Sequence, residues 1–341
     1  MKIQIDAGSR VAIYKQLVDN IDKAIRDGAI KPGEHLPSMN DLAAELGISR
    51  ETTKKAYNIL TNRGIILPQQ GKGFYAAENN RERKLQVLLI IDKFSVYKQI
   101  LFYSFTTELG DAAEVTILNH NQSIDLLQYY LDSNLDYYDY YVIAPHFPLD
   151  KATQERVIRQ FKRIPNRKLI MLDHILPNYP GKYGAVYQDF ENDICSGLEE
   201  GLSSASPQRN LRVITMPSSL YGAQIRRGVE RFCSEHGIKV EFMSTIPDDI
   251  KENDTFLMLN SQLDAGLVAL TRKIQAHSLD IGTQVRIISY NEFDMNELVL
   301  GGLTTVSTDF KEMGILAARM ILDNQLQKIH CPFRMYRRNS F

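Results

Sequence analysis

The sequence is poor in cysteine and contains no long apolar run. Its three cysteines, Cys195, Cys233 and Cys331, are odd in number, far apart and without CxxC spacing. That pattern argues against a disulfide framework and against a zinc ribbon, and it favours a reducing compartment. No stretch approaches the ~18 consecutive apolar residues that a membrane span needs, and residues 1–6 lack the apolar core of a secretory signal. We therefore expect a cytoplasmic protein with no membrane partner.

Common catalytic motifs are also missing. The sequence contains no Gly-x-Ser-x-Gly, His-Glu-x-x-His or Gly-x-Gly-x-x-Gly. Gly64 and the Gly71-Lys72 pair imitate part of a phosphate-binding loop. The spacing between them is too long, however, and Gly73 stands where that loop requires Ser or Thr. We expect no enzymatic activity, no catalytic residues, no metal site and no cofactor.

The net charge of the chain is close to zero, but the charges are unevenly distributed along it. The 341 residues carry a formal net charge of −1 and are 44% hydrophobic, which is enough for two or three packed domains. Residues 1–84 contain 14 Lys and Arg against 10 Asp and Glu, so this part is positive and the remainder negative. A basic end on an acidic chain is typical of a nucleic-acid-binding domain attached to another body.

The basic end has the pattern of a helix-turn-helix. Apolar residues recur at steps of three and four over residues 11–27, which predicts an amphipathic helix. Ser38 and Ser49 are placed to cap two further helices, separated by the Gly47-Ile48-Ser49 turn. In such a motif the last helix, here running to Gly64, enters the major groove.

A hairpin follows these helices. Residues 65–67 and 74–76 are short apolar stretches of β type, and the connection between them is rich in glycine and contains Lys72. A hairpin with a basic tip can lie along a minor groove or a phosphate backbone as a wing.

These spacings together resemble the GntR-type winged helix-turn-helix over residues 10–76. The motifs that carry the resemblance are Tyr14-x-Gln16-Leu17, Ile30-x-Pro32-Gly33-x-x-Leu36-Pro37-Ser38, Leu42-Ala43-x-x-Leu46-Gly47-Ile48-Ser49-Arg50-x-Thr52, Ala56-Tyr57-x-x-Leu60-x-x-x-Gly64-Ile65 and Gly71-Lys72-Gly73-Phe74-Tyr75. The family usually has a DNA-reading arginine where this chain has Asn40, and Asn can still pair with adenine.

The resemblance implies that DNA is contacted from the start of the second helix, from the third helix and from the wing. The residues expected to do so are Ser38, Asn40, Ser49, Arg50, Thr52, Thr53, Lys54, Tyr57, Gln70, Gly71 and Lys72.

The rest of the chain alternates between strands and helices. Residues 77–84 have no apolar residue after Ala77 and are expected to form a linker. Continuous apolar runs then recur between helical segments at 87–91, 115–118, 140–144, 168–172, 213–216, 256–259 and 285–289. This pattern predicts an α/β body with parallel sheets covered on both faces.

Ligands of such sheets bind beyond the carboxyl ends of the strands, where this sequence places polar and aromatic residues. The residues that this rule selects for an effector site are Asp92, Phe94, His146, His174, Tyr221, Asn260, Asn291 and Glu292. Their side chains can hydrogen-bond hydroxyl groups or stack on a sugar ring, which favours a polyol ligand.

The body resembles the LacI-type effector domain, which is related to periplasmic sugar-binding proteins and has two lobes that close on a ligand. The residues that carry the resemblance are Val186-x-x-Asp189, Ser218–Gly228-Val229, Gly237-Ile238, Ile288-Ser289-Tyr290-Asn291-Glu292, Leu303-Thr304-Thr305-Val306 and Met313-Gly314-x-x-Ala317. It implies effector contacts from Asp189, Arg226 and Asn291, although Arg226 and Arg227 both stand near the position of the family's sugar-binding arginine.

By this resemblance the body divides into two lobes. We expect the DNA-binding domain at 1–76, the linker at 77–84 and the effector and dimerisation domain at 85–341. Lobe 1 is expected to comprise about 85–188 and 307–327, and lobe 2 about 189–306 and 328–341.

The leading hypothesis is a homodimeric transcriptional regulator that binds double-stranded operator DNA and is released by a small sugar. The combination of a GntR-type head with a LacI-type body resembles arabinose-responsive repressors, which implies a pentose or deoxyhexose effector and control of carbohydrate-utilisation genes.

Two alternatives stay open. One is a regulator with an enzyme-like body that binds pyridoxal phosphate, although about 255 residues is short for that body. The other is a GntR regulator that senses an organic acid through a helical or chorismate-lyase-like body, which the repeated β-α alternation disfavours.

Overall fold

Three sheets organise the chain in a computed structural model that describes residues 5–6, 8, 11–77, 84–202, 210–215, 219–259 and 265–341. The helices are α1 (Ile13–Arg26), α2 (Met39–Leu46), α3 (Arg50–Asn62), α4 (Val96–Leu109), α5 (Ile124–Asn134), α6 (Lys151–Phe161), α7 (Phe190–Leu202), α8 (Gly222–His236), α9 (Ala265–Ala276) and α10 (Phe310–Leu322). The strands are β1 (His35–Leu36), β2 (Ile66–Gln69), β3 (Gly73–Ala76), β4 (Leu85–Ile91), β5 (Ala113–Asn119), β6 (Tyr140–Ile143), β7 (Leu169–Asp173), β8 (Gly184–Tyr187), β9 (Asn210–Ile214), β10 (Lys239–Met243), β11 (Asp254–Met258), β12 (Arg286–Tyr290), β13 (Thr304–Thr308), β14 (Lys328–His330) and β15 (Phe333–Tyr336).

The N-terminal domain, which we call the head, is a helix-turn-helix with a wing. Ser38 caps α2 by accepting a hydrogen bond from the Asp41 amide at 3.1 Å. Ser49 caps α3 by accepting a hydrogen bond from the Thr52 amide at the same distance. Gly47 ends α2 in the left-handed conformation at φ +62°, which a glycine adopts without strain. Both caps lie where the sequence predicts them. Strands β2 and β3 form the wing hairpin, and β1 pairs with β3.

The body contains two six-stranded sheets. The sheet of the first lobe has the order β14-β8-β7-β6-β4-β5, and all of its strand pairs are parallel. The sheet of the second lobe has the order β10-β9-β11-β12-β13-β15, with β15 antiparallel at its edge. The central strands β4, β6 and β11 are buried over most of their length because helices cover both faces.

The chain passes between the lobes three times, at residues 188–189, at Asp309 and at residues 331–332. The sequence analysis assigns all of 328–341 to the second lobe. This assignment is wrong for Lys328–His330, which pairs with β8 in the first lobe. Three residues are too few to show a strand pattern, so only the pairing partner reveals the lobe to which they belong.

The expectations of a linker and of no membrane span concern the following residues. Most of the expected linker, residues 78–83, lies outside the described part of the chain. Within the described part, no helix combines the length and the apolar character that crossing a membrane requires.

Close packing of α10 against α4 makes Gly314 sensitive to substitution. A Cβ at this position would lie 2.5 Å from the Leu101 carbonyl oxygen and 2.9 Å from the Phe105 nitrogen, both of them backbone atoms. We expect Gly314→Ala to destabilise the first lobe by about 1–3 kcal/mol because the two helices must separate. The measurement is the unfolding midpoint in urea.

The matched control is Gly222→Ala in α8, where the nearest atom would lie 3.5 Å away. That variant should keep the wild-type midpoint or raise it slightly. Equal midpoints for both variants would contradict the packing argument.

Candidate functional site

The exposed surface of the head collects most of the residues predicted to contact DNA. Arg50 and Lys54 are exposed on the first turns of α3, and Thr52 is half-buried between them, with its hydroxyl 2.8 Å from that of Ser49. Also exposed are Ser38, Asn40, Gln70, Gly71 and Lys72. The wing tip is held to β1 by a 3.0 Å contact between His35 Nε2 and the Lys72 carbonyl oxygen.

Thr53 and Tyr57 do not belong to this surface. Both are fully buried, on the face of α3 that also carries Ala56 and Leu60. The Tyr57 hydroxyl donates to the Pro37 carbonyl at 2.7 Å and so ties α3 to the segment before α2. Both are therefore core residues of the head rather than DNA contacts.

The head is joined to the first lobe by a cluster of polar contacts around Asp136. Its carboxylate accepts a hydrogen bond from the Tyr14 hydroxyl at 2.6 Å and forms an ion pair with Lys15 Nζ at 2.8 Å. The Asp136 carbonyl accepts from the Arg63 guanidinium, and its amide is bonded to the Tyr141 hydroxyl at 2.8 Å. Asp136 thus connects two head elements to the strand that follows it.

This junction leaves the DNA-facing surface free. It uses the start of α1 and Arg63 beyond the end of α3, whereas Arg50 lies at the opposite end of that helix. Thirteen residues of helix separate the two ends by about 20 Å. The junction with the first lobe and the exposed residues predicted to contact DNA therefore lie at opposite ends of α3.

A cleft lies between the two lobes, at the carboxyl ends of both sheets. Its volume is about 190 Å³, room for about six waters at about 30 Å³ each. Its lining consists of Asp92, Lys93, Tyr97, Lys98, Gln122, His146, Asp173, Gln188, Phe190, Ser219, Leu220, Tyr221, Ile225, Leu259, Tyr290, Asn291 and Phe310.

A buried ion cluster forms the floor of the cleft on the first lobe. Lys98 is 2% exposed; its ammonium forms an ion pair with Asp173 and lies 3.4 Å from an Asp92 carboxylate oxygen. Asp173 also accepts from His146 Nε2 at 2.8 Å and from the Gln188 amide.

The three charged groups of this cluster hold one another ionised. Burial alone would raise the pKa of Asp92 and of Asp173, but the Lys98 ammonium outweighs it and holds both below the ordinary value. Burial alone would lower the pKa of Lys98, but the two carboxylates outweigh burial and raise this pKa.

One strand end in each lobe has a residue with the left-handed backbone conformation. Asp173 at the end of β7 and Asn291 after β12 are non-glycine residues with φ of +71° and +74°. The left-handed region costs free energy for such residues and is found preferentially at functional sites. Both line the cleft, one from each side.

Aromatic rings form the other wall of the cleft. Tyr221 stacks on Phe190 with ring centroids 4.1 Å apart and lies 5.2 Å from His146 and 4.9 Å from His174. Burial raises the pKa of the Tyr221 and Tyr290 hydroxyls, so both stay protonated.

Several buried polar atoms around the cleft have no hydrogen-bond partner within the described part of the chain. They are Asp92 Oδ1, His174 Nδ1, the Tyr221 hydroxyl and the Tyr290 hydroxyl. Buried polar groups are almost always satisfied in folded proteins, so such a concentration in one cleft points to a ligand that supplies donors and acceptors.

The structure brings together half of the predicted effector residues. Asp92, His146, Tyr221 and Asn291 line the cleft, and His174 packs against Tyr221. Asn260 lies outside the described residues.

Four predicted effector residues point elsewhere. Phe94 is 60% exposed on the outer surface. Asp189 accepts from the amide and side chain of Asn192 and so caps α7. Arg226 pairs with Glu230 at 2.8 Å, and Glu292 forms an ion pair with Arg338 at 2.8 Å. Arg227 likewise pairs with Glu191 at 2.6 Å. Neither arginine lines the cleft, but Arg226 lines an adjoining cavity that shares Ser219, Ile225 and Leu259 with it.

Sequence reasoning missed Lys98, Gln188, Phe190 and Tyr290. Lys98 lies on a helix rather than at a strand end, and a lone lysine on a helix is usually exposed. Gln188 could have been found, because it stands where the chain leaves β8 for the second lobe. Phe190 and Tyr290 resemble core residues in their sequence context.

One group outside the cleft has the residue types of a metal site. Cys195, Glu199 and Glu235 bring a thiol and two carboxylates within 4.8 Å of one another on the second lobe. Arg231 donates to the Cys195 sulfur at 3.4 Å, so a cation already occupies this position beside the thiol.

Comparison with known proteins agrees with this division. Residues 13–76 match the family model of bacterial regulatory proteins of the gntR family, and residues 208–332 match that of a periplasmic-binding-protein-like domain. The repressor YtrA of Bacillus subtilis strain 168 is 39% identical over 77 residues, which are 23% of this chain and 59% of YtrA. The chain spans between 28% and 59% of the first three curated relatives that it matches.

Two solved structures match the body in fold. The Escherichia coli repressor ascG has a TM-score of 0.58 at 15% identity over 76% of this chain and 99% of its own. The trehalose repressor of Escherichia coli has a TM-score of 0.56 at 12% identity over 74% and 100%. The chain thus joins a GntR-type helix-turn-helix domain to a two-lobed periplasmic-binding-protein-like domain, and the predicted α/β fold class is confirmed.

The buried His120 beside the cleft predicts how stability changes with pH. Its Nε2 is 2.9 Å from the Ala144 carbonyl oxygen, and its Nδ1 accepts from the Gln122 amide at 3.0 Å. A proton on Nδ1 would break the second bond. Burial lowers the pKa of His120 to about 4, so the unfolded chain takes up this proton first. We expect stability to fall as the pH drops from about 6.5 to 4, by up to about 3 kcal/mol from this residue.

The measurement is the unfolding midpoint against pH for wild type, His120→Asn and His277→Asn. The profile of His120→Asn should be flatter in this window, and that of His277→Asn, which alters an exposed ring, should run parallel to wild type. A wild-type slope in His120→Asn would contradict the assignment.

Proposed function

We propose that this chain, which joins a GntR-type head to a periplasmic-binding-protein-like body, is a DNA-binding transcriptional regulator controlled by a small neutral sugar. In this proposal it is a cytoplasmic homodimer that represses carbohydrate-utilisation genes, and a pentose or deoxyhexose in the cleft releases it from operator DNA. The observation that supports the proposal is a set of buried polar atoms around one cleft, those of Tyr221, Tyr290 and His174, that have no hydrogen-bond partner among the described residues.

The chemistry of these atoms suits a polyol. Asp92 Oδ1 accepts hydrogen bonds, and the two tyrosine hydroxyls donate and accept. A ligand with several hydroxyl groups satisfies all of them, and its apolar face can lie against the Tyr221 ring. An apolar ligand would leave both tyrosine hydroxyls buried without a hydrogen bond, at about 1–3 kcal/mol apiece.

The charge of the cleft favours a neutral sugar over an acid. Its buried cation, Lys98, is already balanced by Asp92 and Asp173. Of the described lining residues only Lys93 adds a further positive charge. An organic acid or a sugar phosphate would therefore face two carboxylates with no buried cation of its own, which weighs against the alternative of an acid sensor.

The environment of Lys98 also weighs against a body that binds pyridoxal phosphate. That cofactor binds through a neutral lysine amine, whereas the neighbouring carboxylates raise the pKa of Lys98 and keep it protonated. The named relatives, and the family model that matches the head, are those of regulators rather than enzymes.

Release of DNA requires that the sugar bind one arrangement of the lobes better than another. The three chain crossings allow one lobe to rotate on the other. Two of them are linked directly, because Thr308 donates to the Gln188 side chain at 2.6 Å and Gln188 in turn contacts Asp173 in the cleft. A ligand that displaces Asp173 therefore acts on the crossings.

The homodimer is proposed because operators of such proteins are two-fold symmetric and each half-site takes one head. Phe94, Val96 and Tyr103 are 60%, 49% and 66% exposed, and they lie just before α4 and on it. Large exposed apolar side chains that share one region are typical of a protein interface.

The DNA surface can be tested with two substitutions on α3. We expect Arg50→Ala to weaken operator binding at least tenfold. Lys54→Ala should weaken binding to all duplexes alike and reduce the slope of log affinity against log salt by about one. The measurement is fluorescence anisotropy with the duplex upstream of the chain's own gene, at several salt concentrations.

The control is Lys23→Ala, which removes an exposed charge from α1. It should bind DNA as wild type does. Loss of binding in the control alone would refute the proposed orientation of the head.

The cleft can be tested with Tyr221→Phe, which removes only an unpartnered hydroxyl. We expect a neutral sugar that raises the wild-type unfolding midpoint to bind this variant about 2- to 12-fold more weakly. The panel is arabinose, xylose, ribose, fucose and rhamnose, and affinity is measured by calorimetry.

Tyr129→Phe, which alters a tyrosine that is 64% exposed on α5, is the matched control and should bind the sugar as wild type does. Both variants should bind DNA normally without sugar. If none of the sugars binds wild type, the proposed effector class is wrong, while the DNA assay remains informative.

A further inference from the structure

A second cavity lies between the head and the first lobe, far from the cleft described above. Its volume is about 320 Å³. Its apolar lining includes Val18, Ile59 and Pro165, and its surface also carries the cations Arg63 and Lys168. The head supplies one wall through α1 and α3, and the other comes from the segments before β6 and β7.

Four cations and two carboxylates face this cavity. Lys15 pairs with Asp136 at 2.8 Å, and Arg167 pairs with Asp19 at 3.2 Å. Arg63 and Lys168 remain, and neither has a carboxylate within ion-pairing distance among the described residues. The lining of the cavity therefore carries an excess of two positive charges.

The two remaining cations are incompletely satisfied. Arg63 is 7% exposed, and its Nε has no hydrogen-bond partner in the part of the chain that the structure describes. The ammonium of Lys168 donates to the Tyr138 carbonyl at 3.0 Å. Burial and the proximity of Arg63 lower the pKa of Lys168 to about 8, whereas Asp139 and Asp19 act in the opposite direction.

We propose that this cavity is a binding site for a compact anion of the phosphate monoester class. Its phosphate lies between Arg63 and Lys168, and its carbon skeleton lies against Val18, Ile59 and Pro165. A phosphate oxygen accepts from the unpartnered Arg63 Nε and from the Lys168 ammonium, in charge-assisted bonds of the strongest kind available to a protein. This site does not depend on the nature of the cleft ligand.

Such a ligand would strengthen the contact between head and body. It bridges Arg63, which belongs to the head, and Lys168, which belongs to the first lobe, beside the Asp136 cluster. Because it binds only when the two walls are together, it stabilises the docked arrangement of the head by linkage. The anion thus acts on head orientation independently of the sugar.

The experiment compares the full chain with Lys168→Gln in the presence of inorganic phosphate and of ribose 5-phosphate. Binding is measured by calorimetry and by the unfolding midpoint, against chloride at matched ionic strength. We expect both probes to bind wild type and to bind Lys168→Gln at least tenfold more weakly, the equivalent of about 1.4 kcal/mol. Lys168→Arg should restore the binding because it keeps the charge.

Lys162→Gln is the matched control, since it removes an exposed lysine that does not line the cavity. It should bind the probes as wild type does. Cleft sugar binding should be unchanged in all three variants, so failure of this proposal is distinguishable from failure of the sugar site.

Three results would overturn the proposal. Equal binding by wild type and Lys168→Gln would place the anion elsewhere, such as on the DNA-contacting lysines. Phosphate effects no larger than those of chloride would exclude a specific site. If Lys168→Gln weakened binding to a DNA duplex and not to the two probes, the occupant would be a DNA backbone phosphate rather than a free metabolite.

Discussion

One buried ammonium group holds together the ligand-facing end of the first lobe. Lys98 comes from α4, Asp92 follows β4 and Asp173 ends β7, so a single cation links a helix to the ends of two strands. His146, beyond the end of β6, joins through Asp173. Without this cation, two carboxylates would be buried beside each other, and breaking a buried pair typically costs about 3–5 kcal/mol. The geometry of the cleft floor therefore depends on Lys98 staying charged.

The sequence predicts the head well because its signals are local. Ser38 and Ser49 each cap a helix within three residues, and the glycine turn stands between them. The direction in which a helical side chain points is harder to predict. Thr53 and Tyr57 share α3 with Arg50, and only packing decides that they are buried while Arg50 is exposed. The motif predicts where the helix lies, but it does not predict which of its side chains are buried.

The cleft is predicted less completely because its chemistry is assembled from distant segments. The strand-end rule finds Asp92, His146 and Asn291, since the carboxyl ends of parallel strands meet at one edge. It also selects Glu292, whose nearest cation, Arg338, belongs to the last residues of the chain. The strand-end rule does not select Lys98, because this residue lies on α4. Its role depends on the folded chain bringing Asp92 and Asp173 next to it. The resemblance predicts a ligand contact for Arg226, but in the structure Arg226 pairs with Glu230, one helical turn away.

The two central strands of the first lobe have a head contact at one end and a cleft residue at the other. β6 follows Asp136 and leads to His146, whereas β7 follows Arg167, which pairs with Asp19 of the head, and ends at Asp173. Each strand spans only about 13–17 Å, so the head interface and the ligand floor are built on the same short, rigid segments. This constrains how such proteins can exchange domains during evolution. A head from another regulator would fit this body only if it also brought a hydroxyl and a cation to the positions of Tyr14 and Lys15; without them, the Asp136 carboxylate would have no partner from the head.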